Sequence, residues 1–191
     1  MSHFFAYISK MKWIKRWGLM KNTAEENIME HSWQVAVVAH GLATIKNDVF
    51  GGNVDAEHIA MLALYHETGE VITGDFATPV KYFNPEIKNA IGSLEHLAKE
   101  KIFSMLPSEL QKSYEGLIFP EEKGEEYAIV KAADKICAYL KCVEELKWGN
   151  QEFSKAEKTI RGDLENMDRE EVRYFLEHFL ESFSLTLDEL N

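Results

Sequence analysis

Four side chains of this sequence have the types and the placement to hold a divalent metal ion: His31, His66, Glu67 and Asp134. Imidazole nitrogens and carboxylate oxygens are common ligands of borderline transition metals, and two of each make a full set for one ion. Their apolar neighbours single them out. His31 continues the row Ile28, Val35, Val38, Leu42 and Ile45, whose steps of three and four mark the core-facing stripe of a helix. His66 follows Ile59 and Leu62 in the same way, with Glu67 on the adjoining row of Ala60 and Ala63, and Asp134 falls among Tyr127, Val130 and Cys137 on a face expected to be buried. Three helices thus each aim an ionisable group inward, where an uncompensated charge is expensive. A single histidine on an apolar face is ordinarily a hydrogen-bonded core residue, and a single aspartate an internal cap or ion-pair partner. The pattern alone therefore leaves a metal site and a hydrogen-bonded core both open. His66 and Glu67 are adjacent, so they reach one ion together only if the helix ends or distorts there, and Gly69 is placed to end it. His40 lies about half a turn out of phase with His31. Together with His3, His58, His96 and His178 it is assigned no part in the chemistry.

The elements that must position these groups are predicted to be helices throughout, at roughly 3–16, 27–48, 55–68, 85–104, 122–148, 152–165 and 169–182, with no alternating strand and no internal repeat. Asp55 and Pro85 are start signals, and Gly51-Gly52 and Gly149-Asn150 are stops. Segment 69–84 has no clear periodicity, and a long punctuated loop inside a helical domain is more often functional than accidental. The expected fold class is all-α, one compact domain over residues 1–191, long enough to bury a substantial core without staples. A formal net charge of −11 argues against a nucleic-acid polymer or an anionic membrane as partner. It also requires a local cation to draw in any anionic substrate. No apolar run approaches the ~18–20 residues of a membrane span, and no basic segment followed by an apolar one suggests a secretory leader. Cys137 and Cys142 turn to different faces of one helix, so neither a disulfide nor a two-cysteine metal site is expected. Idle thiols suit a reducing compartment, and a cytoplasmic location is the expectation.

The order His31, then His66-Glu67, then Asp134 resembles the H…HD…D signature of HD-domain phosphohydrolases. The resemblance continues through Ser-His-Phe-Phe-Ala at 2–6, Arg-Trp at 16–17, Glu-Asn at 26–27, Glu-His-Ser at 30–32, Gln-Val-Ala at 34–36 and Phe-Gly-Gly-Asn-Val at 50–54. It extends to Thr-Gly-Asp at 73–75, Thr-Pro-Val-Lys-Tyr-Phe-Asn at 78–84, Ala-Asp at 133–134, Cys-Ala-Tyr-Leu-Lys-Cys at 137–142 and Leu-Asp-Glu at 187–189. With these segments the chain is similar, over nearly its whole length, to the bacterial 5′-deoxynucleotidases of that family. The resemblance implies an all-α HD-domain fold, a homodimer, and removal of phosphate from deoxyribonucleoside 5′-monophosphates with one divalent ion such as Co²⁺ or Mn²⁺. It implies His31, His66, Glu67 and Asp134 as metal ligands and Glu70 as the catalytic carboxylate, which shares a side with His66 if the helix persists. Arg16 and Trp17 would hold the substrate, the guanidinium as a planar fork for phosphate and the indole helping to reject the ribose 2′-hydroxyl. Asp75 would contact the sugar region, with Thr78 and Lys81 as further substrate residues. One position departs from the family pattern, which has His-Asp where this chain has His66-Glu67. The extra methylene moves the carboxylate by about 1–1.5 Å, against a tolerance in ligand distance of about 0.2 Å. Two alternatives follow: a phosphohydrolase acting on triphosphate or cyclic nucleotides, or a nucleotide-binding protein weakened in catalysis by Glu67.

Overall fold

Extended backbone at Ile14 ends the first helical stretch and sends the chain back to pair with residues ahead of the second helix. In the computed structural model, which describes residues 1–190, this pairing is an isolated antiparallel bridge between Lys15 and Asn27. All other regular structure among the described residues is helical, in agreement with the predicted class. The expected helix 3–16 is accordingly replaced by α1 (Phe4–Ile8) and a 3₁₀ turn over Ser9–Trp13.

Helix α2 (Ile28–Asp48) starts where the Asn27 side chain accepts from the amides of Met29 and Glu30, both at 3.0 Å. Its predicted stripe is buried from Ile28 to Ile45, His31 included. Asp55 caps α3 (Ala56–Tyr65), accepting from the His58 amide at 2.9 Å. That helix stops at Tyr65, short of the expected residue 68. The segment 69–84, expected to be irregular, contains two single-turn helices, α4 (Glu70–Thr73) and α5 (Thr78–Lys81). Asn84 and Pro85 open α6 (Pro85–Phe103), the asparagine accepting from the Ile87 amide at 2.7 Å. A helix absent from the sequence expectations, α7 (Ser108–Ile118), follows Pro107. Its apolar residues Leu110, Tyr114, Leu117 and Ile118 do recur at helical spacing, over a helix of eleven residues. The chain ends with α8 (Glu125–Lys147), α9 (Ser154–Glu165) and α10 (Glu170–Phe179), followed by two 3₁₀ turns.

The described residues form two compact units. The first comprises residues 1–21, 25–33 and 64–121. Its core is Phe4, Ile102, Leu106 and Ile118, with Tyr65, Val71, Phe103, Tyr114 and Phe119 packed against it. Tyr114 meets Phe4 and Tyr65 edge-on, at ring separations of 5.3 and 5.9 Å. Tyr65 and Val71 bracket the turn between α3 and α4, so packing of both against this core fixes where that turn sits.

The second unit comprises residues 22–24, 34–63 and those from 122 onward. In its interior Glu145 accepts from Lys141 Nζ, from Asn150 Nδ2 at 2.7 Å and from the amides of Thr23 and Ala24 at 2.8 and 3.2 Å. Burial alone would raise its pKa, but these four donors outweigh it and hold the carboxyl down at about 2. Cys137 and Cys142 are both buried, free thiols.

Candidate metal centre

The early stop of α3 creates the ligand geometry. On a continuing helix, adjacent side chains diverge by about 100°. In the turn that follows Tyr65, His66 Nε2 and Glu67 Oε1 instead lie 3.2 Å apart. The turn is closed by the Thr68 amide and hydroxyl, which both donate to the Tyr65 carbonyl, at 3.1 and 2.7 Å, and by the Glu70 amide donating to the Glu67 carbonyl at 3.0 Å. Gly69 then passes so close to α6 that a Cβ there would meet the Glu95 carbonyl oxygen at 3.0 Å. His31, in the first turn of α2, brings its ring to 5.5 Å from that of His66.

His31, His66, Glu67 and Asp134 each offer one ligand atom, and these atoms all lie within 4.8 Å of one another. Donors bonded to one transition-metal ion at about 2.0–2.2 Å stand roughly 3–4.4 Å apart. Two buried imidazoles with two carboxylates suit a divalent transition metal, so the residues present fit such an ion. Glu67, the residue that departs from the family pattern, belongs to this set with its longer side chain. Asp134 corrects one expectation: its side chain is not buried but retains 25% of its exposure, and it lies 3.7 Å from Lys131 Nζ.

The bridge between Lys15 and Asn27 places Arg16 and Trp17 beside the start of α2. Arg16 N donates to the Glu26 carbonyl at 2.9 Å, and Ile28 N to the Ile14 carbonyl at 2.9 Å. Arg16 Nε donates to Glu26 Oε2 at 3.0 Å while its Nη1 approaches Glu67 Oε1 at 3.5 Å. Trp17 is the one non-glycine residue with positive φ among the described residues, at 60°. Asp75 Oδ2 accepts from the Trp17 amide at 3.2 Å, so this residue helps hold the Trp17 main chain. Burial raises the Asp75 pKa against the pull of Arg16 and of the Trp17 amide.

Glu70 begins α4 rather than continuing α3, which corrects the basis on which it was placed near His66. It is buried, and its Oε2 has no hydrogen-bond partner. Burial first, then the charges of Glu67 and Asp75, push its carboxyl up to about 10, with Arg16 and Lys81 pulling the other way. Lys81 donates to Glu95 at 2.7 Å, and that contact keeps its pKa above the usual value despite burial. Thr78 is exposed at the start of α5. Missed by the site reading of the sequence is Glu26, whose carboxylate touches Arg16 and Trp17 and lies 3.9 Å from His31 Nδ1. Its only signal was the Glu-Asn pair ahead of α2, which looks like ordinary helix-start chemistry.

The family described as "5′-deoxynucleotidase YfbR-like" matches residues 3–183. A 5′-deoxynucleotidase of Vibrio cholerae is 52% identical over 191 residues, covering 100% of this chain and 98% of that one. The 5′-deoxynucleotidase YfbR of an Escherichia coli strain is 51% identical, covering 100% of this chain and 96% of its own. Among solved structures, an HD-domain phosphohydrolase from Listeria innocua superposes with a TM-score of 0.83 at 24% identity, covering 95% of this chain and 88% of that one. A cyanophage S-2L HD phosphohydrolase, bound to dA and one catalytic Zn²⁺, superposes with a TM-score of 0.62 at 20% identity over 94% of this chain and 95% of its own. These likenesses establish the all-α HD-domain fold.

Proposed function

This chain belongs to the YfbR-like 5′-deoxynucleotidase family, and from that premise we propose that it is a metal-dependent phosphomonoesterase releasing phosphate from deoxyribonucleoside 5′-monophosphates. The observation that carries the reading is the ligand set His31, His66, Glu67 and Asp134, with Arg16 adjoining it through Glu67.

His31, His66, Glu67 and Asp134 would hold one divalent ion, with Co²⁺ or Mn²⁺ as the candidates. When bound, such an ion supplies a Lewis acid for the phosphoryl oxygens and acidifies water at its surface. Overall, the bond from phosphorus to the 5′-oxygen breaks, a bond from phosphorus to a water oxygen forms, and the 5′-oxygen gains a proton. Arg16 orients the phosphate. Its Nε donates to Glu26, and in this reading the Nη1 that approaches Glu67 turns to the phosphoryl oxygens once substrate is bound. Glu70 is buried, and burial with the charges of Glu67 and Asp75 raises its carboxyl in the metal-free protein; in this reading it passes a proton to the departing 5′-oxygen. Trp17 presents the indole face against the sugar, where a 2′-hydroxyl would meet an apolar surface, and Asp75 fixes the Trp17 backbone. Thr78 and Lys81, the latter held by Glu95, are further substrate residues in this reading. The reading takes residues 1–191 as one catalytic domain and includes a cytoplasmic homodimer. The dimer rests on the family alone and is tested by sedimentation.

The deciding experiment is phosphate release from dAMP, AMP, dADP, dATP and cyclic AMP, with Mn²⁺ or Co²⁺ and with a chelator. We expect turnover of dAMP, slower turnover of AMP, none of the others, and loss on chelation. Turnover of triphosphate or cyclic nucleotide without the monophosphate would overturn the reading.

A further inference from the structure

The geometry points to Glu26 as the positioning residue that sets both the phosphate fork and the sugar wall, an inference that rests on the reading of Arg16 and Trp17 given above. One oxygen does both jobs: Glu26 Oε2 accepts from Arg16 Nε at 3.0 Å and from Trp17 Nε1 at 2.9 Å. The side chain retains only 13% of its exposure, so water competes little for that oxygen. The backbone carbonyl of the same residue accepts from the Arg16 amide at 2.9 Å, so side chain and main chain grip one short segment.

Each contact removes a particular freedom. With Nε engaged, the guanidinium cannot rotate that edge toward the ligand, and its Nη groups face Glu67, Nη1 at 3.5 Å. With the indole N–H engaged, the ring plane is fixed about its last rotatable bond. The main chain needs the same help. Trp17 stands at φ 60°, which a bulky residue keeps only when its surroundings hold it there. The Asp75 carboxylate accepting the Trp17 amide at 3.2 Å is one such hold, and Glu26 at the far end of the side chain is another. A purely structural ion pair would need one donor. Here two consecutive residues, each facing a different part of a nucleotide, converge on one acceptor.

The test uses the full-length Mn²⁺-loaded protein and measures kcat and KM for dAMP and AMP in Glu26→Ala, Glu26→Gln, Trp17→Ala and the double variant of Glu26→Ala with Trp17→Ala. In Glu26→Ala the dAMP-to-AMP ratio of kcat/KM should fall about tenfold, with KM for dAMP rising more than kcat falls. Glu26→Gln should recover part of the ratio, because an amide oxygen still accepts the indole N–H. The double variant should show no further loss of ratio beyond Trp17→Ala, as expected if Glu26 acts through that ring. An unchanged ratio in Glu26→Ala alongside a collapsed one in Trp17→Ala overturns the inference, and so does an additive loss in the double variant. Should Trp17→Ala leave the ratio as it is, the sugar reading of Trp17 fails by itself. Glu26 is then decided on Arg16: a raised KM for dAMP with partial recovery in Glu26→Gln supports it, and an unchanged KM overturns it. Should Glu26→Ala not fold, Glu26→Gln carries the test, with an intermediate loss supporting the inference and wild-type values overturning it.

Discussion

Replacing Glu70 by glutamine should make the metal-free protein more stable while abolishing turnover. The carboxyl is buried, 6% exposed, with Oε2 lacking a hydrogen-bond partner. Its pKa rises from 4.5 to about 10 because of burial and then the charges of Glu67 and Asp75. A carboxyl raised in this way adds nothing unfavourable below its unfolded pKa. Above it, the unfolded chain ionises while the folded chain does not, and each pH unit costs about 1.4 kcal/mol. Between pH 4.5 and neutrality the accumulated cost is about 3 kcal/mol, and it is insensitive to where above 7 the folded value lies. Glutamine keeps the shape without the ionisation. For a chain of this length the gain corresponds to a rise in Tm of about 6–12 °C. Thermal unfolding of chelator-treated wild-type and Glu70→Gln protein from pH 4.5 to 7.5 measures it directly. The gap should open with pH from near zero at the acid end, while phosphate release from dAMP is lost. A gap of constant size, or a variant less stable at pH 7, would refute the argument that this carboxyl is held neutral at a cost to the fold.

Three further outcomes are expected. Glu145, held at about pKa 2 by its hydrogen bonds against the effect of burial, stabilises the fold fully above about pH 4.5 and progressively less as pH falls toward 2. The stability gap between wild type and Glu145→Gln should therefore narrow by about 3 kcal/mol over that window in denaturant melts, and parallel curves would count against it. Glu67→Asp withdraws the carboxylate by about 1.5 Å from a set it already reaches, so Mn²⁺ affinity by calorimetry should weaken about tenfold; tighter binding would show that the longer side chain limits the site. Gly69→Ala places a methyl 3.0 Å from the Glu95 carbonyl. That should cost about 1–3 kcal/mol in stability and lower the metal content on elemental analysis.

Helix class and the inward stripe of α2 were legible because burial at three- and four-residue steps is what a helix face requires, and His31 stands on it. The second ligand pair was legible only conditionally. Periodicity carries α3 through residue 68, and it takes the Thr68 bonds back to Tyr65 and the tight passage of Gly69 past α6 to stop it at Tyr65. Single-turn helices such as α4 and α5 are shorter than a hydrophobic period, so no pattern announces them. Helix α7 was legible from Leu110, Tyr114, Leu117 and Ile118 at helical spacing after Pro107, and its shortness is what left it out of the expected helices. The role of Glu26 was not legible for a different reason: it comes from a two-residue backbone pairing with a segment ten positions earlier, at Arg16. The same holds for the Glu145 cluster, whose donors come from Thr23, Ala24 and Asn150 as well as its own helix.

The cations beside the ligand set are already engaged: Arg16 leans on Glu26 and Glu67, and Lys81 on Glu95. Asp75 adds a further acid close by, while Glu70 is kept neutral by burial. A nucleotide arriving first would meet a local balance that repels it, whereas an inorganic ion arriving first reverses that balance. On this electrostatic balance we expect the ion to load ahead of the nucleotide.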